Sequence, residues 1–376
     1  MKKILIFDVE VSGHHLEYLH HIYSLATQSK DTYIFCLPKE FNNVKSQFKW
    51  KKCDNIIFDL FDNYTSSHSS ILNASYEKCK ILKERVKTHS PTNEFLISLM
   101  HYVPFLTFIL PHHVKVSGII YQIYLYRWKT SNIIQRLSDV MKYILLSFAN
   151  CVDKIYILND KPASHLLNRI YHTKKFAYLP DPFIPIDNVD EGVTREILNI
   201  DQSKFVFLHM GDMRKRKGTI DILDSIPLIN EKLYDKLCFI FAGKISNEIK
   251  EIFYQKVELL NPKVQIIVYD EFCEYSFLAA LCHISDYMLI PYKFVNQSSG
   301  LIGYSAQFKL PVISPKEGLL GKLVKRYKLG YTIANINKFS IAEFINNVHA
   351  YKKFAISNKY LRENNVNNFL SSIHFN

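Results

Sequence analysis

The strongest indication of the fold is the stretch Val295-Asn296-Gln297-Ser298-Ser299-Gly300-Leu301-Ile302-Gly303-Tyr304-Ser305-Ala306-Gln307-Phe308-Lys309-Leu310-Pro311-Val312-Ile313-Ser314. It predicts a polar loop, a helix of about ten residues and a short apolar strand, and another apolar strand precedes the loop. A helix N-terminus that follows a strand can bind an anion, because unpaired backbone N–H groups and the helix dipole attract negative charge. Ser298, Ser299 and Gly300 would let a diphosphate approach the backbone, although an ordinary connection with a serine N-cap gives the same pattern.

Composition indicates a folded protein of two domains. The chain has 376 residues, long for one hydrophobic core, and 48% of them are hydrophobic. Its seven cysteines are odd in number and include no Cys-x-x-Cys pair, which argues against a disulfide framework or a zinc ribbon. The expected compartment is therefore the reducing cytoplasm. The chain shows no signal peptide. Its longest apolar region, 95–128, is too interrupted for a transmembrane helix, which needs ~20 apolar residues.

The net charge of +12 predicts an anionic partner. A phosphorylated small molecule and an anionic membrane surface both fit this charge. Nucleic acid is not expected, because the chain contains no helix-turn-helix, zinc-finger or RNA-binding motif. Lysines scattered over a solvated surface would account for the same charge.

Strand-like and helix-like segments alternate along the chain, which predicts βαβ units and parallel sheets. The predicted strands are 3–9, 33–37, 55–59, 95–100, 116–121, 154–158, 205–209, 237–242, 264–268, 288–290 and 312–314. The predicted helices are 16–28, 76–88, 131–149, 218–230, 245–259, 275–284 and 300–308. The proline-rich segment 178–185 reads as an interdomain linker. The expected fold is therefore α/β, with two doubly wound Rossmann-like domains that face each other across a cleft.

We expect an N-terminal domain at 1–180, a C-terminal domain at 181–355, and a helical segment at 356–376 that packs back toward the N-terminal domain. Ligands bind at the carboxyl ends of the strands in such sheets, so the loops 8–15, 209–218 and 298–300 would line the cleft. The second loop contains four consecutive cations at 214–217. Such a cluster suits a diphosphate whose charge grows as a bond breaks, and a solvent-exposed basic turn is the alternative.

These elements resemble the GT-B glycosyltransferases, specifically the nucleotide-sugar-dependent enzymes of family 4. Segment 211–218 is similar to that family's G-R-x-x-x-x-K-G element, 239–243 to its next strand, and 299–314 to its donor-phosphate helix and P-V-I-S strand. The segment 178–182 resembles the family's interdomain segment, and 318–321 and 329–331 resemble the segment that follows its donor site. The resemblance covers most of 150–335. The first half matches mainly in its strand order and in the loop that contains Gly13.

The resemblance implies a donor site in the second half. Lys217 matches the lysine that contacts the donor diphosphate, whereas the family's arginine position falls on Asp212, so Arg214 or Arg216 would supply the guanidinium. The family's two motif glutamates align with Asn296 and Tyr304. Loss of both carboxylates leaves the sugar and the stereochemistry open, and it leaves room for an inactive relative. The implied diphosphate-binding residues are Gly13, Arg214, Arg216, Lys217, Ser298, Ser299 and Gly300, and the implied nucleotide- or sugar-binding residues are Gly211, Glu271, Phe272, Leu301 and Tyr304.

Three histidines are candidates for the group that orients or deprotonates the acceptor hydroxyl: His14, His15 and His101. An imidazole suits this role because its pKa lies near working pH, and the sequence does not choose among the three. GT-B enzymes stabilise the leaving diphosphate with basic side chains and helix N-termini, so no metal is expected. Two patterns are weak metal candidates: Asp8-Val9-Glu10, and the shared helical face of His14, Glu17 and His21. The favoured explanation is that the first ends strand one, and that the second consists of polar positions on an amphipathic helix with one of them near the cleft.

We therefore expect a metal-independent hexosyl- or related glycosyltransferase with a nucleotide sugar as co-substrate and no cofactor. The acceptor would be a saccharide or lipid-linked saccharide, in cell-surface polysaccharide assembly. The alternatives are a non-catalytic GT-B relative that acts as a partner or scaffold subunit, and a nucleotide-sugar epimerase of the same fold.

The expected location is cytoplasmic, with peripheral association at the inner face of the plasma membrane. Trp128, Lys129 and Arg136, with the apolar helix that follows, would rest on an anionic leaflet. A helix packed in the core with a basic solvent face is the alternative.

Overall fold

The structure is a computed structural model that describes residues 1–64, 70–111, 113–260, 263–294, 296, 298–350 and 354–375. Val295 and Gln297 of the opening stretch lie outside the described residues. The strands are β1 Lys3–Phe7, β2 Thr32–Pro38, β3 Ile56–Phe61, β4 Asn93–Leu96, β5 Lys115–Ile120, β6 Val152–Leu158, β7 Phe176–Leu179, β8 Phe205–Met210, β9 Leu237–Ala242, β10 Gln265–Tyr269, β11 Tyr287–Leu289, β12 Val312–Pro315 and β13 Gly330–Ile333. The helices are α1 His14–Ala26, α2 Phe41–Val44, α3 Ile71–His89, α4 Leu106–Ile109, α5 Tyr124–Arg127, α6 Ile133–Phe148, α7 Lys161–Ile170, α8 Thr219–Ser225, α9 Asn247–Leu260, α10 Tyr275–Ile284, α11 Leu301–Phe308, α12 Gly318–Tyr327, α13 Lys338–Asn346, α14 Lys359–Glu363 and α15 Val366–Ser372.

The chain forms two compact units. The first consists of Met1–Tyr124, Trp128–Pro182 and Val366–Asn376, and the second consists of Leu125–Arg127 and Phe183–Asn365. In the first unit, α15 packs on α1 through Phe369, whose ring stacks on Tyr18 at a centroid distance of 5.4 Å. The last helix of the chain therefore completes the core of the first unit.

Each unit contains one parallel sheet. The strand order is β3-β2-β1-β4-β5-β6-β7 in the first unit and β10-β9-β8-β11-β12-β13 in the second. In both units the chain winds from the first strand to one edge and then crosses back to wind to the other. The winding direction therefore changes between β1 and β4, and between β8 and β11. The predicted α/β fold with two doubly wound sheets is confirmed, and ligands in such sheets bind beyond the carboxyl ends of the strands at these switch points.

The central strands are buried on both faces. Residues Ile4 to Phe7 of β1 and every residue of β9 are at most 1% exposed. Continuous apolar runs of this kind are typical of parallel strands covered by helices on each side. The two sheets are therefore rigid platforms from which the loops at the switch points project.

Several predicted boundaries are wrong, and the helix predicted at 76–88 begins earlier, at Ile71. The strand predicted at 95–100 ends at Leu96 and is followed by a 3-10 turn at Leu99–Tyr102, because the buried apolar side chains of this turn give the same sequence pattern as a strand. The helix predicted at 218–230 ends at Ser225, where Pro227 turns the chain into a 3-10 segment. The predicted linker at 178–185 begins inside β7, which pairs with β6.

None of the helices in the described ranges combines the length and the apolar composition that a bilayer crossing requires.

Candidate functional site

Backbone hydrogen bonds join the loop that follows β8 to the end of β9 and the loop after it. The amide of Gly211 donates to the carbonyl of Ala242 at 2.8 Å, and the amide of buried Met213 donates to Lys244 at 2.9 Å. Gly218 ends the loop with φ +74, and a Cβ atom there would lie 2.3 Å from the carbonyl oxygen of Pro291. Only glycine allows this close approach, so the loop after β8 is held against the end of β11.

Lys217 and Ser299 meet at one side chain in this unit. The Nζ atom of Lys217 lies 5.4 Å from the ring centre of Tyr292, and the Ser299 hydroxyl donates to the Tyr292 hydroxyl at 3.2 Å. Tyr292 and Ser299 are both buried. The structure therefore brings together two sequence-predicted residues from separate loops, and Tyr292, which the sequence analysis did not single out, lies between them.

Helix α11 begins beside this contact. Gly300 is its N-cap residue and has no side chain that could cap the helix. The Ser299 hydroxyl accepts a long hydrogen bond of 3.4 Å from the amide of Leu301. The serine therefore caps the helix only weakly and also contacts Tyr292. Ser298 precedes it and is half-buried. Amides at the start of a helix, next to a lysine, form an arrangement that favours an anionic group.

The two predicted arginines differ in their surroundings. The Nε atom of Arg214 lies 2.5 Å from a carboxylate oxygen of Asp212, the residue at the family's arginine position. Asp212 therefore holds the guanidinium of a neighbouring residue in the same loop. Arg216 contacts the next loop through its backbone, since its carbonyl accepts from the amide of Lys293 at 2.9 Å.

The residues predicted to contact the nucleotide or sugar are spread over the second unit. Gly211 lies beside Lys217, because a Cβ atom built on it would be 3.7 Å from the lysine Nζ. Tyr304 is buried and meets Phe183 edge to face at 5.6 Å. Glu271 and Phe272 are exposed and follow β10, which lies two strands away from β8. Gly211 therefore adjoins the Lys217 site, whereas Glu271 and Phe272 follow a different strand.

The first unit places an acidic and imidazole cluster beyond β1. Asp8 is fully buried, and one of its carboxylate oxygens lies 2.6 Å from Nδ1 of His15. The other ring nitrogen of His15 lies 3.3 Å from Glu10. The ring stacks on Tyr121 at 5.7 Å. Burial by itself lowers the pKa of His15, but the hydrogen bond and charge of Asp8 and the charge of Glu10 together raise it above 6.5.

His101 and His14 differ in their surroundings. Burial lowers the pKa of His101 to about 4, with further lowering from the charges of Lys78 and His15 and an opposing effect of Glu10. His14 is exposed and lies 3.4 Å from Glu17. His15 therefore contacts a fully buried carboxylate and His14 contacts half-buried Glu17, whereas His101 is half-buried.

Gly13 precedes α1 with φ +54, and nothing lies within 4 Å of the position that a Cβ atom would take. The space beside this turn is open. The role predicted for Gly13 in diphosphate binding stays a prediction.

Neither metal-site pattern from the sequence forms a compact set of ligands. Asp8 and Glu10 contact His15. His21 is buried against Phe369, and burial lowers its pKa to about 4. A different group, Cys36, Asp59 and His89, has its ligand atoms within 4.8 Å of one another in the described part of the chain. There the Arg85 guanidinium contacts both oxygens of Asp59 at 3.2 Å, so the carboxylate already has a cationic partner.

Several residues of these clusters escaped the sequence analysis. Asp8 was noted only as a metal candidate, and Lys78, Tyr121 and Tyr292 were not singled out. Position alone would have indicated two of them, because Asp8 directly follows β1 and Tyr292 lies just beyond β11, at the two switch points. Lys78 and Tyr121 had no comparable indication, since they reach the cluster only through the packing of α3 and β5.

No protein-family model matches the sequence, and comparison with curated proteins gives no match. Solved structures do match. HepE of Anabaena in complex with UDP-glucose has a TM-score of 0.69 at 14% identity, over 99% of this chain and 98% of that chain. An α,α-trehalose-phosphate synthase (UDP-forming) from Burkholderia vietnamiensis has a TM-score of 0.68 at 9% identity, over 99% and 97%. WaaG, a glycosyltransferase involved in lipopolysaccharide biosynthesis, has a TM-score of 0.64 at 13% identity, over 93% and 90%.

At these identities the likeness concerns the fold. It extends over nearly the whole chain and includes both parallel sheets. The fold predicted from the segments at 211–218 and 299–314 is thereby confirmed: this chain has the GT-B fold.

Proposed function

We propose that the protein is a glycosyltransferase that moves a sugar from a nucleotide-sugar donor to a hydroxyl group of an acceptor. The observation that carries this proposal is the meeting of Lys217 and Ser299 at Tyr292, at the switch point of the second sheet. A cation and helix N-terminal amides at one position suit the diphosphate of a donor. UDP is the first nucleotide to test, because the similar HepE structure contains UDP-glucose.

In the proposed reaction, Lys217 and Arg214 stabilise the charge that develops on the departing diphosphate. These side chains would supply the positive charge that a metal ion supplies in other enzymes, so the protein would need no metal and no cofactor. Arg214 contacts Asp212, the residue at the family's arginine position, so the guanidinium lies in the same loop as the residue it would replace.

His15 is the proposed base in the first unit. Its Nδ1 proton is donated to buried Asp8, and Nε2, which lies 3.3 Å from the exposed carboxylate of Glu10, is the nitrogen that would accept the proton once it is unprotonated. The acceptor hydroxyl gives its proton to Nε2, and its oxygen forms a bond to the anomeric carbon. The bond from that carbon to the β-phosphate oxygen breaks, and the nucleoside diphosphate leaves with the electron pair. The acceptor would be a saccharide or a lipid-linked saccharide in cell-surface polysaccharide assembly, and the enzyme would work in the cytoplasm.

Binding of UDP, GDP and ADP, measured by calorimetry, tests the donor site. Lys217→Ala should weaken binding of the preferred nucleotide by ~1.5–3 kcal/mol, because a charge-assisted contact is lost. Lys215→Ala is the matched control, since Lys215 is an exposed lysine of the same turn. Equal affinity in the two variants would show that Lys217 is only a surface residue.

Product analysis separates the alternatives. Turnover of a donor without any acceptor, to a new nucleotide sugar, would identify an epimerase. Absence of binding to all three nucleotides would favour a non-catalytic scaffold, for which the loss of both motif glutamates at Asn296 and Tyr304 is the supporting observation. Transfer that persists in the presence of EDTA would support metal independence.

A further inference from the structure

Helix α6 presents an apolar face to solvent. Its most exposed side chains are all apolar and recur every three to four residues, so they form one stripe. The stripe consists of Ile133, Ile134, Leu137, Met141, Ile144 and Phe148, with exposed fractions of 72%, 76%, 63%, 58%, 42% and 67%. Exposed apolar residues are ordinary when scattered, whereas a continuous stripe marks an interaction surface.

The opposite face of α6 is the one that packs on the first unit, beside β6. Asp139 and Ser147 are buried there, together with Tyr143 and Leu146. The helix therefore differs from an ordinary surface helix, whose solvent face is polar: its solvent face is apolar, and its buried face contains both polar and apolar residues. The stripe is not needed for packing within the unit, so its apolar character calls for a separate explanation.

Cationic and aromatic side chains accompany the stripe. Trp128 is 40% exposed, and the Arg136 guanidinium lies 5.4 Å from its ring. An Arg136 nitrogen also donates to the carbonyl of Lys129 at 3.2 Å, which ties the preceding turn to the helix. Lys129 is exposed, Lys142 is half-buried, and the one acidic residue of α6, Asp139, is buried. The surface around the stripe is therefore apolar and positively charged.

We infer that α6 is a membrane-binding helix, which lies in the plane of an anionic bilayer with the stripe inserted at the boundary between head groups and acyl chains. The stripe is about 22 Å long, and tryptophan with lysine or arginine is the combination that anchors helices at this boundary. Charge complementarity favours this occupant over a second copy of the chain. Two copies that met through this face would bring positive charges together. The net charge of the protein, +12, instead favours contact with a negatively charged surface.

This inference does not depend on the proposed function, because vesicle binding is measured without a nucleotide. The test is flotation of the full chain with vesicles of phosphatidylcholine alone and of phosphatidylcholine with phosphatidylglycerol. We expect binding to the anionic vesicles only. Salt should weaken it, and each of Lys129→Gln and Lys142→Gln should weaken it about fivefold.

The decisive variant is the double substitution Ile134→Glu and Leu137→Glu, which should lower binding to anionic vesicles at least roughly tenfold, since two apolar side chains no longer insert. The matched control is Leu259→Glu with Phe339→Glu, in the second unit, where the two side chains are 73% and 65% exposed. The control should bind as the unsubstituted protein does. All four positions are exposed, so both variants should fold, and unchanged circular dichroism and an unchanged thermal unfolding midpoint check this.

Three outcomes would overturn the inference. The first is equal vesicle binding by the two double variants, which would place the membrane contact elsewhere. The second is failure of the unsubstituted protein to float with anionic vesicles at physiological salt. The third is a dimer, detected by light scattering without lipid, that the Ile134→Glu and Leu137→Glu substitutions dissociate, because the stripe would then be an interface between two copies.

Discussion

Asp8 and His15 form a hydrogen bond of 2.6 Å at the carboxyl end of β1, with the carboxylate fully buried. The bond orients the imidazole and selects its tautomer. It also offsets the effect of burial, so that the pKa of His15 lies above its usual value of 6.5. Among the three candidate histidines, this partner distinguishes His15 as a base.

Asp8→Asn should lower the pKa of His15, because the negative charge is lost while burial remains. A base must be unprotonated, so the acidic limb of the kcat/KM profile should move to lower pH. The plateau should fall by about 10²-fold or more, since the basic nitrogen is no longer favoured. The pH profile and NMR titration of His15 measure both effects. If the acidic limb of the kcat/KM profile moved with His14→Ala and not with Asp8→Asn, His14 would be the base.

Two substitutions of Tyr292 separate its ring from its hydroxyl. Tyr292→Phe keeps the ring beneath Lys217 and loses the contact with Ser299, so UDP affinity should fall by ~0.5–1.5 kcal/mol. Tyr292→Ala also removes the ring, and the loss should be larger. Calorimetry measures the affinities, and circular dichroism checks the fold. Equal losses in the two variants would show that the ring does not position Lys217.

Asp212 and Arg214 should have opposite effects on donor binding. Arg214→Ala removes a cation near the proposed diphosphate and should weaken UDP binding several-fold. Asp212→Asn removes a negative charge from the same loop and should leave binding unchanged or tighten it. Neither change should alter stability by more than ~0.5 kcal/mol, because the pair is exposed. If Asp212→Asn weakened UDP binding as much as Arg214→Ala, the role of Asp212 in positioning Arg214 would outweigh its charge.

Gly218→Ala should destabilise the second unit by about 1–3 kcal/mol. The added Cβ atom would meet the Pro291 carbonyl oxygen at 2.3 Å, and the residue already has φ +74. Gly13→Ala is the matched comparison, because Gly13 also has positive φ but open space around it. Its cost should be the smaller one, about 1–2 kcal/mol. Midpoints of chemical unfolding measure both, and equal costs would mean that the loop after β8 yields to the added methyl group.

Glu94→Gln should stabilise the protein at neutral and higher pH. Glu94 is fully buried, neither carboxyl oxygen has a hydrogen-bond partner among the described residues, and burial raises its pKa well above 4.5. The folded state therefore binds the proton more tightly than the unfolded state. Stability falls as pH rises from the unfolded pKa to the folded one, by about 1.4 kcal/mol for each pKa unit between them.

The gain from Glu94→Gln should therefore disappear near pH 4 and grow toward pH 8. Thermal unfolding across this range measures it. Glu84→Gln is the control, because the Glu84 side chain is 72% exposed, and it should change little at any pH. A gain that did not vary with pH would show that Glu94 has a partner or is ionised in the folded protein.

Much of the fold was predictable because buried parallel strands have continuous apolar runs. Helix α10 was predicted at its observed bounds, and most strands within two residues. The turn at Leu99–Tyr102 was taken for part of a strand, since its side chains are buried as a strand's would be. Helix α7 and strand β7, at Lys161–Ile170 and Phe176–Leu179, were not predicted, because Pro162 and the prolines at 180–185 are typical of loops and linkers.

The alternation of elements, the two doubly wound sheets and the loops at their switch points follow from the sequence, because local periodicity and turn residues report burial along the chain. The partners of individual side chains do not follow. Lys217 and Ser299 reach Tyr292 only after separate segments have packed, and Asp8 and His15, seven residues apart, meet only through the turn of the loop between them. The same holds for the orientation of α6. Its apolar period is visible in the sequence, but the period is identical whether the stripe faces the core or the solvent, and only the packing of Asp139 and Tyr143 inside the unit decides between them.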